Sequence, residues 1–219
     1  MNKYWKELWM IALLIIPYIY LAMIWDQLPE KVPTHFDVHG QADDWSSRTF
    51  LVFLPAGVGL IMYIVMWIIP ALDPKKKIHL MGGKYYQFRF ILTLFFSLFS
   101  CYMLYVSKEG SMKNPQYMIG LIGVMIILMG NYFQALRPNY FIGIRTPWTL
   151  ENENVWKNTH RLAGRLWVGG GLLLLLIAIF LKNETPMITG SIVVFVLMVL
   201  IPVGYSYLDY KKQSRKLQP

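Results

Sequence analysis

Residues 130–167 read GNYFQALRPNYFIGIRTPWTLENENVWKNTHRLAGRLW, the one long polar interruption in the second half of a chain otherwise built from uncharged apolar runs. What flanks this stretch decides the fold. Uncharged runs occupy residues 8–25, 49–72, 90–107, 115–136, 166–181 and 185–208. A helix rising about 1.5 Å per residue needs about 20 mainly apolar residues to cross a hydrocarbon core of roughly 30 Å, so each run is a spanning candidate. The fifth run is short, and reaches full length if Leu162, Ala163 and Gly164 join it and Arg165 snorkels to the interface. The expected fold is an all-α membrane protein with six transmembrane helices, multi-pass in the cell membrane.

Composition agrees with this class. Of 219 residues, 56% are apolar and 15% charged, and the mean hydropathy is +0.41, outside the range of ordinary soluble domains. The net charge of +9 does not gather on one soluble face, so direct nucleic-acid binding is not expected. With the N-terminus inside, 16 of the lysines and arginines are cytosolic and five are outside: Lys31, Arg48, Lys108, Lys113 and Lys182. That bias follows the positive-inside rule and predicts an N-in, C-in orientation. Lys3 and Lys6 ahead of the first run resemble a signal n-region, but no small-x-small cleavage site follows Trp25, so the run is read as a retained helix. The lone Cys101 can form no internal disulfide.

On this topology residues 26–48, DQLPEKVPTHFDVHGQADDWSSR, form a folded outer loop. Pro29 and Pro33 favour extended backbone, and Val32, Thr34, Phe36 and Val38 alternate with Pro33, His35, Asp37 and His39 at strand period. Gly40 marks a turn. In an extended chain His35, Asp37 and His39 share one side, and with Asp43 or Asp44 they make a candidate divalent-metal site. The alternative is a polar cap whose histidines and aspartates bond to backbone and to each other. No cofactor is otherwise expected.

Within the spans, Pro17 predicts a kink in the first helix. Thr93, Ser97 and Ser100 can bond either to another helix or to their own backbone carbonyls. The fourth span carries Gly120, Gly123 and Gly130, which permit close helix approach, then Asn131 and Gln134 on one face below Arg137. With the helix stopped at Arg137-Pro138, Asn131 lies about 9 Å beneath Arg137, facing protein or water. A short connection from Asn139 follows, and Thr146-Pro147 supplies an N-cap and first helical position.

From there Val155, Trp156, Thr159, Leu162, Ala163, Leu166 and Trp167 fall on one helical arc, with Asn154, Lys157, Asn158, His160, Arg161 and Arg165 on the other. This is a cytosolic amphipathic helix before the fifth span, or the tilted start of that span itself, with Gly164 and residues 169–171 as places to bend. Arg145 beside Thr146 and the open helix start makes a small anion site. Alternatively Glu151 or Glu153 pairs with Arg145 or Arg137 and closes the loop on itself.

Gly130-Asn131, the run Gly143-Ile-Arg-Thr-Pro-Trp-Thr-Leu150, Val155-Trp156 and Arg161 resemble the signature of the SdpI family of bacterial membrane proteins. Leu28-Pro-Glu-x-x-Pro-Thr-His-Phe36, with Gly40 and Asp43, is similar to a domain of unknown function found at the front of such proteins. The resemblance implies two regions, residues 1–72 with the outer loop and residues 73–219 with the motif loop at 137–165. It also implies protection against a membrane-active secreted peptide toxin, with a cytosolic transcriptional repressor as a possible signalling partner beside the lipid bilayer. No catalytic residues come with it.

The candidate functional residues are therefore Asn131, Gln134, Arg137, Asn139, Gly143, Arg145, Thr146, Pro147, Trp148, Trp156 and Arg161 in the motif. Pro33, His35, Phe36, Asp37, His39, Gly40 and Asp43 are those of the outer loop. Two other classes compete. A transporter would be expected to show an inverted repeat or an intramembrane carboxylate, and neither is read here. A membrane metalloenzyme on His35, Asp37 and His39 has no HExxH, GxSxG or paired acid and base to support it. No enzyme activity is expected.

Overall fold

A computed structural model of the chain describes residues 3–37, 41–74 and 76–216. Six helical segments in it are long and apolar enough to cross a membrane, one for each uncharged run. They are α1 (Lys3–Ile24), α2 (Arg48–Leu72), α3 (Gly83–Glu109), α4 (Pro115–Phe133), α6 (Glu153–Phe180) and α7 (Glu184–Lys216). The five-residue α5 (Pro147–Glu151) interrupts the connection from α4 to α6. The chain is a multi-pass membrane protein.

Between α1 and α2 an antiparallel hairpin, β1 (Lys31–Phe36) and β2 (Ala42–Ser47), sits at one end of the bundle. Pairing runs from Lys31↔Ser47 to Phe36↔Ala42, with register shifts on either side of His35. These shifts break the expected alternation, and Val32 and Pro33 are both buried. The reason is the floor beneath them: Leu21, Ile24, Leu28, Leu51 and Leu104 form an apolar cluster that Val32 completes. Pro33 is tolerated because a two-stranded sheet has only edge strands, where a missing N–H costs least.

Pro17 lies inside an α1 that runs without interruption. A proline has no N–H to give the carbonyl four residues earlier, here that of Leu13. The Ser97 hydroxyl on α3 donates to that Leu13 carbonyl at 2.6 Å. A neighbouring helix thus satisfies the group that Pro17 leaves open, as lipid requires of every backbone polar group. Thr93 instead bonds its own helix, donating to the Arg89 carbonyl at 2.9 Å.

The tightest helix pair is α4 with α6. A Cβ added to Gly130 would stand 2.9 Å from the Gly164 carbonyl oxygen, and one added to Gly171 would stand 2.7 Å from that of Gly123. Glycine at these four positions lets two antiparallel backbones touch, the usual source of van der Waals attraction between helices in lipid. Gly164 and Gly171 are packing surfaces in a continuous helix rather than the bends expected there. Of the two forms open to the amphipathic stretch, the structure has the second: it is the start of α6.

Two outcomes follow in micelle-solubilised protein. Gly130→Ala should lower the free energy of thermal unfolding by about 1–3 kcal/mol through overpacking, while Gly169→Ala, with nothing within 4 Å of the added carbon, should not. Ser97→Ala should cost about 1–3 kcal/mol by orphaning a buried carbonyl, and a fraction of that in a Pro17→Ala background, where residue 17 regains its own N–H.

Candidate functional site

At the end opposite the hairpin, the connection between α4 and α6 folds back against the bundle. α4 ends at Phe133, four residues before the stop expected at Arg137-Pro138. Asn131 and Gln134 are consequently not stacked beneath Arg137, and both are exposed. They line an open cleft with Gly130, Gly164 and Arg165.

The connection is organised by side chains that stand in for regular backbone pairing. Asn139, 1% exposed, donates through Nδ2 to the carbonyls of Arg137 (2.8 Å) and Ile142 (3.1 Å). Its Oδ1 accepts from the N–H groups of Phe141 and Ile142, both at 2.8 Å. A buried amide with both ends used leaves none of these backbone groups unpaired. Gly143 then takes φ +109°, and a Cβ there would meet His160 Nε2 at 2.5 Å, so glycine is required twice over.

His160, 1% exposed, is the pin on the α6 side. Its Nε2 accepts the Ile144 N–H at 3.0 Å, which requires an unprotonated Nε2. The proton is then on Nδ1, facing the Trp156 carbonyl at 2.8 Å. Trp156, fully buried, stacks on His160 with ring centroids 4.1 Å apart and donates from Nε1 to the Leu136 carbonyl at 2.8 Å. Two residues of α6 one turn apart therefore hold both ends of the loop.

Thr146 and Thr149 complete the arrangement as a reciprocal cap on α5. The Thr149 N–H donates to Thr146 Oγ1 and the Thr146 N–H to Thr149 Oγ1, at 3.3 and 2.9 Å. Thr149 Oγ1 donates in turn to the Ile144 carbonyl at 2.8 Å, and Thr146 Oγ1 lies 3.1 Å from Ser206 Oγ on α7. Pro147 occupies the first helical position, and Trp148 packs on Tyr207 of α7, ring centroids 5.1 Å apart. Asn152 caps α6 separately, accepting from Asn154 and Val155 N–H groups.

Asn139, Gly143, Thr146, Pro147, Trp148 and Trp156 thus shape the loop, whereas Arg137, Arg145 and Arg161 are exposed. The expected anion site at Arg145 is not formed: its Nη1 donates to the Tyr140 carbonyl at 2.5 Å, and a one-turn α5 has little dipole to add. The expected pairs of Glu151 or Glu153 with Arg145 or Arg137 are replaced as well. Glu153 takes Lys77 at 3.1 Å, which ties the α2–α3 connection to α6, and Glu151 faces the Tyr210 hydroxyl at 3.4 Å. Trp156 is a core residue rather than an interfacial one.

On the hairpin, His35 Nδ1 lies 2.6 Å from Asp43 Oδ1. Asp37 Oδ1 accepts the Gln41 N–H at 2.8 Å, and Asp44 Oδ2 accepts from Thr34 Oγ1 at 3.3 Å. These are the contacts of a self-bonded polar cap. Pro33 is buried and Phe36 half-buried. His39 and Gly40 lie outside the described residues, and among the described residues no three metal-binding side chains converge.

A third polar cluster is not legible in the sequence, where Arg89 counts among the 16 cytosolic bases and no intramembrane carboxylate is read. Glu7 in α1 and Arg89 in α3 form a bidentate pair, Nη1–Oε1 2.9 Å and Nη2–Oε2 3.1 Å. Tyr63 of α2 donates to Glu7 Oε2 at 2.7 Å, and the guanidinium lies over the Tyr63 and Tyr86 rings. Arg89 is only 6% exposed, and the Glu7 carboxylate and the two ring faces surround its guanidinium in place of water, with Nε alone left without a partner. The readable signal was a lone acid and a lone base, each flanking an apolar run. His160 had no such signal, since its partner is 16 residues away.

The loop's dependence on one amide is measurable. Asn139→Ala removes an acceptor and two donors from buried backbone groups, at about 1–3 kcal/mol for each group left unpaired. It should bring proteolytic cleavage between residues 137 and 146 at a protease concentration that leaves the parent intact, while Arg145→Ala should not.

Residues 135–206, which contain Asn139, Gly143, Thr146, Trp156 and His160, match the SdpI/YfhL protein family, and residues 12–60, from within α1 through the hairpin into α2, match a domain of unknown function, DUF1648. The chain is 26% identical over 211 residues to "Immunity protein SdpI" of Bacillus subtilis (strain 168), covering 94% of this chain and 97% of that protein. It is 39% identical over 62 residues to an uncharacterized protein of Archaeoglobus fulgidus, covering 25% of this chain and 34% of that one. No solved structure matches. The SdpI/YfhL region thus lies over the motif loop and the last two spans, the DUF1648 region lies in front of it, and the chain is similar from end to end to an immunity protein that carries the SdpI name.

Proposed function

We propose that this protein is a membrane immunity protein that gives resistance to a membrane-active secreted peptide toxin. The observation that carries the reading is the collinear match to an immunity protein over 94% of this chain and 97% of the relative. In an N-in, C-in orientation, supported by the 16 to five division of basic residues, the hairpin faces outside and the motif loop faces the cytosol.

The hairpin is then the first surface a secreted peptide meets. Asp26, Glu30, Asp37, Asp43 and Asp44 are exposed there against Lys31 and Arg48, an acidic balance suited to a cationic peptide. Residues 1–72 serve as the receiving part and residues 73–219 as the part that holds the bundle and reports inward, where a cytosolic repressor is the proposed reader. Exposed Arg145 and Arg161 are the motif side chains open to such a partner, while Asn139 and Trp156 keep the loop in one shape.

Expression in a peptide-sensitive strain tests this. The parent should protect against a cationic killing peptide, Asp43→Lys with Asp44→Lys should reduce protection about tenfold in killing concentration, and membrane abundance should stay unchanged. Full expression without protection from any peptide of a broad panel would sink the reading.

A further inference from the structure

At the motif-loop end, a cleft of about 760 Å³ opens between the α2–α3 connection, the start of α3, the end of α4 and the start of α6. Its charged lining is four bases, Lys77, Lys84, Arg137 and Lys157, against one acid, Glu153. Lys77 is engaged with Glu153 at 3.1 Å. Lys84, Arg137 and Lys157 are exposed, and none of the salt bridges among the described residues involves them. The cleft therefore has an unbalanced positive charge at the level where helices leave the bilayer.

A second cleft of about 610 Å³ continues from it toward the hydrocarbon. This one is apolar, running between α1 and α3 past Trp9, Leu13, Phe90 and Ile91. The two share Gly83 and Gln87. Gly83 opens α3 with empty space where a side chain would stand, which leaves the passage between charged and apolar halves clear. Gln87 forms the side of the passage, its Oε1 accepting from the Tyr132 hydroxyl at 3.0 Å. Lys6 adds a further cation at the groove's rim, its Nζ 5.1 Å from the centre of the Tyr86 ring.

A basic head joined to an apolar slot at a membrane boundary has the shape and charge of one ligand class. We propose that an anionic glycerophospholipid occupies the pair of clefts, its phosphate held among Lys84, Arg137 and Lys157 and one acyl chain lying along Trp9, Leu13, Phe90 and Ile91. Basic pockets between spanning helices recognise anionic headgroups by charge, and here the groove adds the chain. The site depends on neither the immunity reading nor the hairpin. It lies against Lys77–Glu153 and the α4 exit, so the bound lipid braces the end of the bundle from which the motif loop springs.

Native mass spectrometry of the full chain in a neutral detergent tests this with dioleoyl phosphatidylglycerol and dioleoyl phosphatidylcholine as probes. The parent should retain the glycerol lipid about tenfold more tightly than the choline lipid. K84Q/R137Q/K157Q, which touches no buried side chain, should abolish that preference. Gly83→Leu should weaken retention of the anionic lipid by plugging the passage, and inorganic phosphate at millimolar concentration should not displace it. Equal retention of the two lipids, an unchanged preference in the triple variant, or full displacement by inorganic phosphate, which marks a headgroup-only anion site, would each overturn the proposal.

Discussion

The rest of the structure depends on the backbone contact between α4 and α6. Where Gly130 meets Gly164 and Gly123 meets Gly171, side chains are absent and the helices lie against each other along two turns. That approach fixes the depth and rotation of α6 relative to the α4 exit. His160, one turn before Gly164, and Trp156, one turn before that, are thereby held under the connection they bind. Hydrogen bonds from two α6 side chains can only organise the loop because the glycines have already set the distance.

Most polar groups in the bundle find a partner in the protein where lipid offers none, although the Tyr86, Ser100 and Thr159 hydroxyls and Arg89 Nε are buried without one. Asn139 pairs four backbone groups of an irregular loop. Ser97 covers the carbonyl opposite Pro17, and Glu7, Arg89 and Tyr63 close on each other across three helices. These contacts divide the labour of assembly. The α4–α6 pair is joined by surface shape, whereas α1, α2 and α3 are joined by charge and hydrogen bonding among Glu7, Tyr63 and Arg89. Conserving a charge pair so near the boundary costs less than at the bilayer centre, because both residues begin close to water.

The motif and the lipid clefts meet at α4's early end. Because α4 stops at Phe133, residues 134–138 leave the helix and become one wall of the basic cleft, while Leu136 turns inward to receive Trp156. The same short segment thus faces the loop on one side and the bilayer surface on the other. Its neighbour across the cleft is the Lys77–Glu153 pair, so the charged end of α2, the start of α3 and the start of α6 share a single electrostatic environment.

Span number, the polar identity of residues 130–167, the extended stretch that begins the outer loop's fold and the Thr146-Pro147 helix start were legible in the chain, whereas the second strand, Ala42–Ser47, was not. Each is a local property: about 20 residues of hydropathy decide a span, and a few residues decide a cap or turn. The end of α4 lies four residues before the expected stop because the Leu136 and Arg137 carbonyls are taken by Trp156 and Asn139 rather than by a continuing helix. The bond from Ser97 to Leu13, the pair of Arg89 with Glu7 and the pin of Ile144 on His160 join residues 84, 82 and 16 apart. The sequence by itself determined which segments enter the membrane; the tertiary structure alone decided which polar side chain meets which. The reason is that a partner across a bundle is chosen by the rotation and depth of each helix, which are set by packing against neighbours and carried by no local pattern.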